Sequence, residues 1–248
     1  MRLLKKELKL TVLFILPTII ITFIFALFTE HITIISAVSN YSMLIGFILV
    51  VYNLKKEQAL SNWKKIFSNL DIIVFILFVI IGFCWTIFSS QLFFNIFPYS
   101  EEELPPMTIH DIICSIIIAP IIEEFVFRYG FTTLGEKYGK LLFSSVLSVV
   151  FFTVIHFPDL PSAFTIAGAA ILYTYIFFKT NNIMYSMTAH IINNSFSVIS
   201  FYFPIIEKTI LGAESISELN NIYFISSIIL MAICLILLNI KFSRRKQA

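Results

Sequence analysis

The stretch APIIEEFVFRYG (119–130) places Glu123, Glu124 and Arg128 in an otherwise apolar run. Two further apolar runs carry polar groups of the same kind. VVFFTVIHF (149–157) carries His156 next to its end, and TAHIINNSF (188–196) presents His190, Asn193 and Asn194. A carboxylate, two imidazoles and an amide are the ingredients of a water-activating hydrolytic site. The carboxylate can take a proton from water, or a metal held by Glu and His can lower the pKa of that water. A histidine and an asparagine can donate to the oxyanion that develops. Glu124 and Arg128 are four residues apart, share a helix face and can pair. Glu123 points about 100° away from Glu124 around a regular helix and has no local partner. Pro120, just upstream, removes one helix hydrogen bond beside the pair.

These groups need elements to hold them, and the composition says which kind. The chain has 248 residues, is 58% hydrophobic and 13% charged, and has a mean hydropathy of +0.92. Soluble domains are about a quarter charged, so the natural solvent of this chain is lipid. Apolar runs long enough to cross a bilayer lie near 10–28, 32–54, 70–97, 112–134, 141–157, 163–179, 183–203 and 221–240. The sequence therefore predicts an all-α polytopic membrane protein of about eight helices. It reads as one integral membrane domain over 1–248, with the chemistry-bearing core at 110–200.

The basic residues support this count. With a cytoplasmic N-terminus, the inside segments hold Arg2, Lys5, Lys6, Lys9, Lys55, Lys56, Lys64, Lys65, Arg128, Lys137, Lys140, Lys179, Lys241, Arg244, Arg245 and Lys246. Only Lys208 is left outside, with Glu101, Glu102, Glu103, Asp159, Glu207, Glu214 and Glu218. That alternation follows the positive-inside rule and places both termini in the cytoplasm. The opening MRLLKKELKLTVLFILP reads as a retained first span, its apolar stretch being longer than that of a cleaved signal. Cys84, Cys114 and Cys234 lie far apart in apolar runs and read as small core residues. Depth sets one further constraint. A fourth span over 108–126 would leave Glu123 more than about 10 Å from the level of His156 at about 1.5 Å per residue. Shared chemistry demands a longer, later helix running to about 134, or a slanted one.

Three motifs carry a resemblance. EEFVFR (123–128), FTVIH (152–156) and HIINN (190–194) resemble the EExxxR, FxxxH and HxxxN signatures of the CAAX-protease and bacteriocin-processing family of intramembrane endopeptidases, in the same order. The resemblance implies that Glu123, with His156, activates water. It implies that His190 and Asn194 stabilise the oxyanion and that Glu124 and Arg128 form a supporting ion pair. Two forms of the chemistry stay open: glutamate-activated water without metal, or a zinc ion on Glu123, His156 and His190, a legitimate three-ligand set. The implied partners are membrane lipid and a membrane-associated or lipidated peptide substrate, in bacteriocin processing or self-immunity. No nucleic-acid partner is expected. The Ile-, Phe-, Lys- and Asn-rich composition is consistent with an AT-rich bacterial genome, and the expected location is the bacterial plasma membrane.

Other readings stand beside this one. Glu124–Arg128 can be purely structural, and His190 with Asn194 can be interhelical glue. His31 and His110 read as interfacial, Glu101–Glu103 as a solvated loop, and Ala163, Ala167 and Ala170 as a face for close packing. A non-catalytic immunity or scaffold protein that keeps the fold is the alternative to the enzyme. A proton-coupled transporter would want broken helices in paired halves, which seven glycines and no internal repeat do not suggest.

Overall fold

The computed structural model describes residues 1–60, 70–96, 107–157, 160–203 and 221–245. These residues form eight helices, and no strand occurs among them. They are α1 (Arg2–Ala26), α2 (Ile32–Lys56), α3 (Ile72–Ile96), α4 (109–137), α5 (Leu141–Ile155), α6 (Leu160–Thr180), α7 (Ile183–Tyr202) and α8 (Asn221–Arg245). The expected all-α class and helix positions hold. Five of the helices, α1, α2, α3, α6 and α8, are long and apolar enough to cross a membrane. Large apolar side chains such as Phe23, Ile48, Ile72 and Ile236 stay exposed on them, as a lipid-facing surface requires. Several residues of the charge argument, Lys64, Lys65, Glu101–Glu103, Asp159, Glu207, Lys208, Glu214, Glu218 and Lys246, lie outside the described residues.

Contacts between helix ends show the polarity of the bundle. At one end Lys6 of α1 pairs with Glu57 after α2, Lys137 of α4 reaches the same Glu57, and Arg2 lies over the Tyr138 ring. The Lys6 hydrogen bond holds the Glu57 carboxyl below the usual carboxylate range. Lys241 of α8 pairs at 2.8 Å with Asp71, which precedes α3. At the other end Asn40 of α2 donates to Asp111 of α4 at 2.8 Å, Tyr41 bonds His110, and Tyr202 of α7 donates to the Met107 carbonyl. Asp111 also completes a capping box with Thr108 that starts α4.

Two features of this framework set the depth of the site. The fourth helix runs continuously from 109 to 137, longer and later than hydropathy alone draws it. It alternates α and π turns: Ile109–Ile113 α, Cys114–Ile118 π, Ala119–Glu123 α, Glu124–Gly130 π and Phe131–Lys137 α. The fifth helix has only 15 residues, about 22 Å at about 1.5 Å per residue against a hydrocarbon core of about 30 Å. It stops short of the far end of the bundle.

Two apolar clusters flank the centre. One joins α1, α2, α4 and α5 through Leu10, Leu54, Phe127, Phe131 and Phe152. The other joins α3, α6, α7 and α8 through Phe78, Tyr173, Ile176, Tyr185 and Leu238. Helices α1 and α2 approach so closely at Gly46 that an added Cβ would overlap the Phe14 carbonyl oxygen. Backbone cannot yield as a side chain can. Gly46→Ala should therefore lower thermal stability in detergent, by about 1–3 kcal/mol. Gly82→Ala, whose Cβ would meet only Leu172 Cδ2 at 3.7 Å, should be neutral or gain up to about 1 kcal/mol from helix propensity. Equal losses in the two variants would remove the packing explanation.

Candidate active site

The fifth helix positions its histidine through a stripe of every fourth residue: Ser144, Ser148, Phe152 and His156. This stripe faces α4. Ser148 donates to the Phe127 carbonyl at 2.6 Å and Ser144 to the Phe131 carbonyl at 2.5 Å. Both acceptors lie in or next to the second π segment, so small hydroxyl residues let the two backbones approach and tie α5 to α4. Phe152 then lies under His156, with ring centroids 4.4 Å apart. His156 follows the last residue of α5, where helix carbonyls lack N–H partners. Its Nδ1 bonds one of them, the Phe152 carbonyl, at 2.8 Å. A carbonyl can only accept, so Nδ1 carries the proton and Nε2 faces Glu123 Oε1 at 3.3 Å.

His190 is held by the same logic from α7. Its Nδ1 lies 3.0 Å from Glu124 Oε1 and its Nε2 lies 3.9 Å from Glu123 Oε2. Glu124 is ion-paired with Arg128, so it accepts and Nδ1 donates. The second imidazole therefore also turns Nε2 toward Glu123. One ring bridges both adjacent glutamates, and Glu123, left without a local partner by the sequence, gains two partners from other helices. Tyr173 of α6 stacks on the His190 ring at 4.8 Å and 23°.

The ion pair differs from the fork that an arginine can make. Arg128 meets Glu124 through Nε alone, at 3.4 Å, with both side chains fully buried. Its guanidinium lies over the Phe152 ring at 4.3 Å, with the Tyr173 ring at 5.5 Å, and Nη2 donates to the Ala170 carbonyl at 3.5 Å. The charge is thus held as much by aromatic faces as by the carboxylate.

Asn194 owes its place to Pro120. In the first π segment the Ala119 N–H bonds the Cys114 carbonyl, five residues back. The next carbonyl, that of Ser115, would take the N–H of residue 120, but proline has none. Asn194 Nδ2 supplies the missing donor at 2.8 Å. One N–H of its amide remains for another acceptor. Helix α4 shows no break at the proline.

Glu123, His156, His190 and Asn194 line one cavity of about 380 Å³. Asn40, Met43, Ser115, Tyr173 and Asn193 share its wall. Asn193 accepts from Thr86 of α3 at 3.0 Å. Tyr173 and the serine stripe escaped the sequence reading. The signal for the serines was the four-residue spacing of Ser144, Ser148, Phe152 and His156; Tyr173 had none. Glu7 escaped it too: α1 begins at Arg2, and Glu7 is fully buried against the Ser144 hydroxyl.

The donor set suits zinc chemically, but the spacing does not assemble it. Two ligands at about 2.0–2.1 Å from one tetrahedral ion stand about 3.3 Å apart. Glu123 and His156 meet that distance, while Glu123 and His190 exceed it. Among the described residues no three His, Cys, Asp or Glu groups are placed to hold a metal ion.

Residues 105–196 match the model of the family described as Type II CAAX prenyl endopeptidase Rce1-like. The chain is 28% identical over 183 residues to a Bacillus subtilis (strain 168) protein named "Putative membrane peptidase YdiL", across 68% of this chain and 72% of that one. No solved structure matches it. The three motifs meet at one cavity, and the segment that carries them is the segment over which the chain is similar to the Type II CAAX prenyl endopeptidase Rce1-like family.

Proposed function

We propose that this protein is an intramembrane endopeptidase that cleaves a membrane-associated or lipidated peptide with a Glu123-activated water. The observation that carries the reading is the Glu123 carboxylate set between two imidazole Nε2 atoms on the wall of a cavity it shares with Asn194. The family match and the name of the Bacillus subtilis relative support it. The bacterial plasma membrane, with both termini cytoplasmic, is the setting that the charge pattern favours.

In this mechanism Glu123 accepts a proton from water as the oxygen attacks the scissile carbonyl carbon. The carbonyl π electrons move to oxygen, and the free Asn194 N–H donates to that oxyanion. His190 can donate as well only while it is an imidazolium, since its neutral form turns a lone pair to the cavity. Collapse breaks the C–N bond, and the proton held by Glu123 or His156 passes to the leaving amine. Glu124 and Arg128 do not touch the reacting atoms. They orient His190 and balance charge.

Glu123→Gln should reduce cleavage by about 10²–10⁴-fold while the protein stays folded, because the amide keeps the size of the side chain. The measurement is mass spectrometry of membrane peptides from cells expressing wild type or the variant at equal protein level. Identical peptide profiles would favour the non-catalytic immunity or scaffold reading. Arg128→Ala should instead lose stability, about 3–5 kcal/mol for uncovering a buried carboxylate, read as lower yield and melting temperature. A metal chelator should leave cleavage by the purified protein unchanged. Loss on chelation with recovery on added zinc would assign Glu123, His156 and His190 to an ion instead.

A further inference from the structure

We infer that the cavity opens toward the end of the bundle where α2 and α4 begin, and that this end faces the non-cytoplasmic side. The substrate is then an extended peptide segment presented from the non-cytoplasmic side. What enters the cavity rests on the proteolytic reading above, whereas the side on which it opens does not.

Burial along α4 shows which end is closed. From Ile122 to Leu134 nearly every side chain is buried, with Val126, Phe127, Phe131 and Leu134 at 0% exposure. The floor below Glu123 is filled by the Glu124–Arg128 pair and these rings. Toward the other end the cavity wall continues through Asn40, Met43, Ser115 and Ala119, all half-buried. The short fifth helix supplies the gap. It ends at Ile155, so nothing of α5 rises beside α4 above His156, whose side chain keeps 32% of its surface exposed.

Charge tells which side that end faces. The closed end carries Arg2, Lys5, Lys6, Lys9, Lys55, Lys56, Lys137, Lys140, Lys179 and Lys241. The open end carries Glu30 and Asp111, and no lysine or arginine among the described residues. Basic ends stay cytoplasmic. The approach to Glu123 is polar, with the Asp111 carboxylate beside Asn40 at its outer end. It runs past the amides of Asn40, Asn193 and Asn194 and the Ser115 hydroxyl, groups that can pair with a peptide backbone.

Cysteine accessibility tests this without any substrate. In a chain with Cys84, Cys114 and Cys234 replaced by serine or alanine, Met43→Cys places a thiol on the cavity wall and Lys140→Cys marks the closed end. A charged, membrane-impermeant maleimide is applied to intact spheroplasts and to inverted vesicles. Met43→Cys should label at least tenfold faster in spheroplasts, and Lys140→Cys only in inverted vesicles. Ile166→Cys, on the same wall, replaces Met43→Cys if that variant fails to accumulate. Wall labelling only in inverted vesicles overturns the inference. So does labelling only by a membrane-permeant maleimide, which would mean an opening to lipid, and so does labelling of Lys140→Cys from outside. None of these results bears on whether Glu123→Gln abolishes cleavage, so the two readings fail separately.

Discussion

The structure is organised around one electrostatic constraint. Two neighbouring carboxylates and one guanidinium are buried at the centre of an apolar bundle, leaving one negative charge in excess. Uncompensated charge at such depth costs at least a few kcal/mol. His190 answers it geometrically, with one ring nitrogen on each glutamate, and a single proton on the two imidazoles brings the cluster to neutrality. The close approaches of α4, α5, α6 and α7 all serve to bring these groups within reach. The serine stripe ties α5 to the widened turns of α4, and Pro120 leaves a carbonyl that only a side chain from α7 can serve.

The aromatic residues do more than fill space. Phe152 belongs to one apolar cluster and Tyr173 to the other, and Arg128 lies against both rings. A desolvated cation over an aromatic face is worth about 2 kcal/mol, which helps to hold a guanidinium whose carboxylate partner is met by one nitrogen alone. The same two rings brace the imidazoles: Phe152 under His156 and Tyr173 against His190. Packing of the two halves of the bundle and orientation of the polar groups are therefore one event. A shift between the clusters would move the histidines with it.

Much of this was legible in the sequence, and the reasons are physical. Hydropathy read the helices because a chain that buries backbone in lipid has little choice but helix. The polar residues of the site stood out because such residues are costly in a span, so Glu123, His156, His190 and Asn194 could be named before any geometry. What periodicity could not show was the turn type. A regular helix sends Glu123 and Glu124 to different faces, and the change of α4 from α to π after Glu123 alters which residues of the later turns lie beneath them. A π turn has no residue signature to set it apart in one sequence. Glu7 was hidden for another reason: four basic neighbours make its segment look solvated, although Ser144, remote in sequence, buries it.

The lengths of α4 and α5 resolve the problem of depth that the motifs posed. Glu123 lies fourteen positions before the end of α4 at Lys137, about 20 Å at about 1.5 Å per residue. His156 lies just beyond the 15 residues of α5, which starts from that same end. The two arrive at one level because α4 overshoots its hydropathic boundary and α5 ends early. A fifth helix of ordinary spanning length would carry its terminal histidine several ångströms past the carboxylate and would fill the gap above it. The shortness that hydropathy registers as a marginal span is thus the feature that both aligns the pair and leaves room for the cavity beside it.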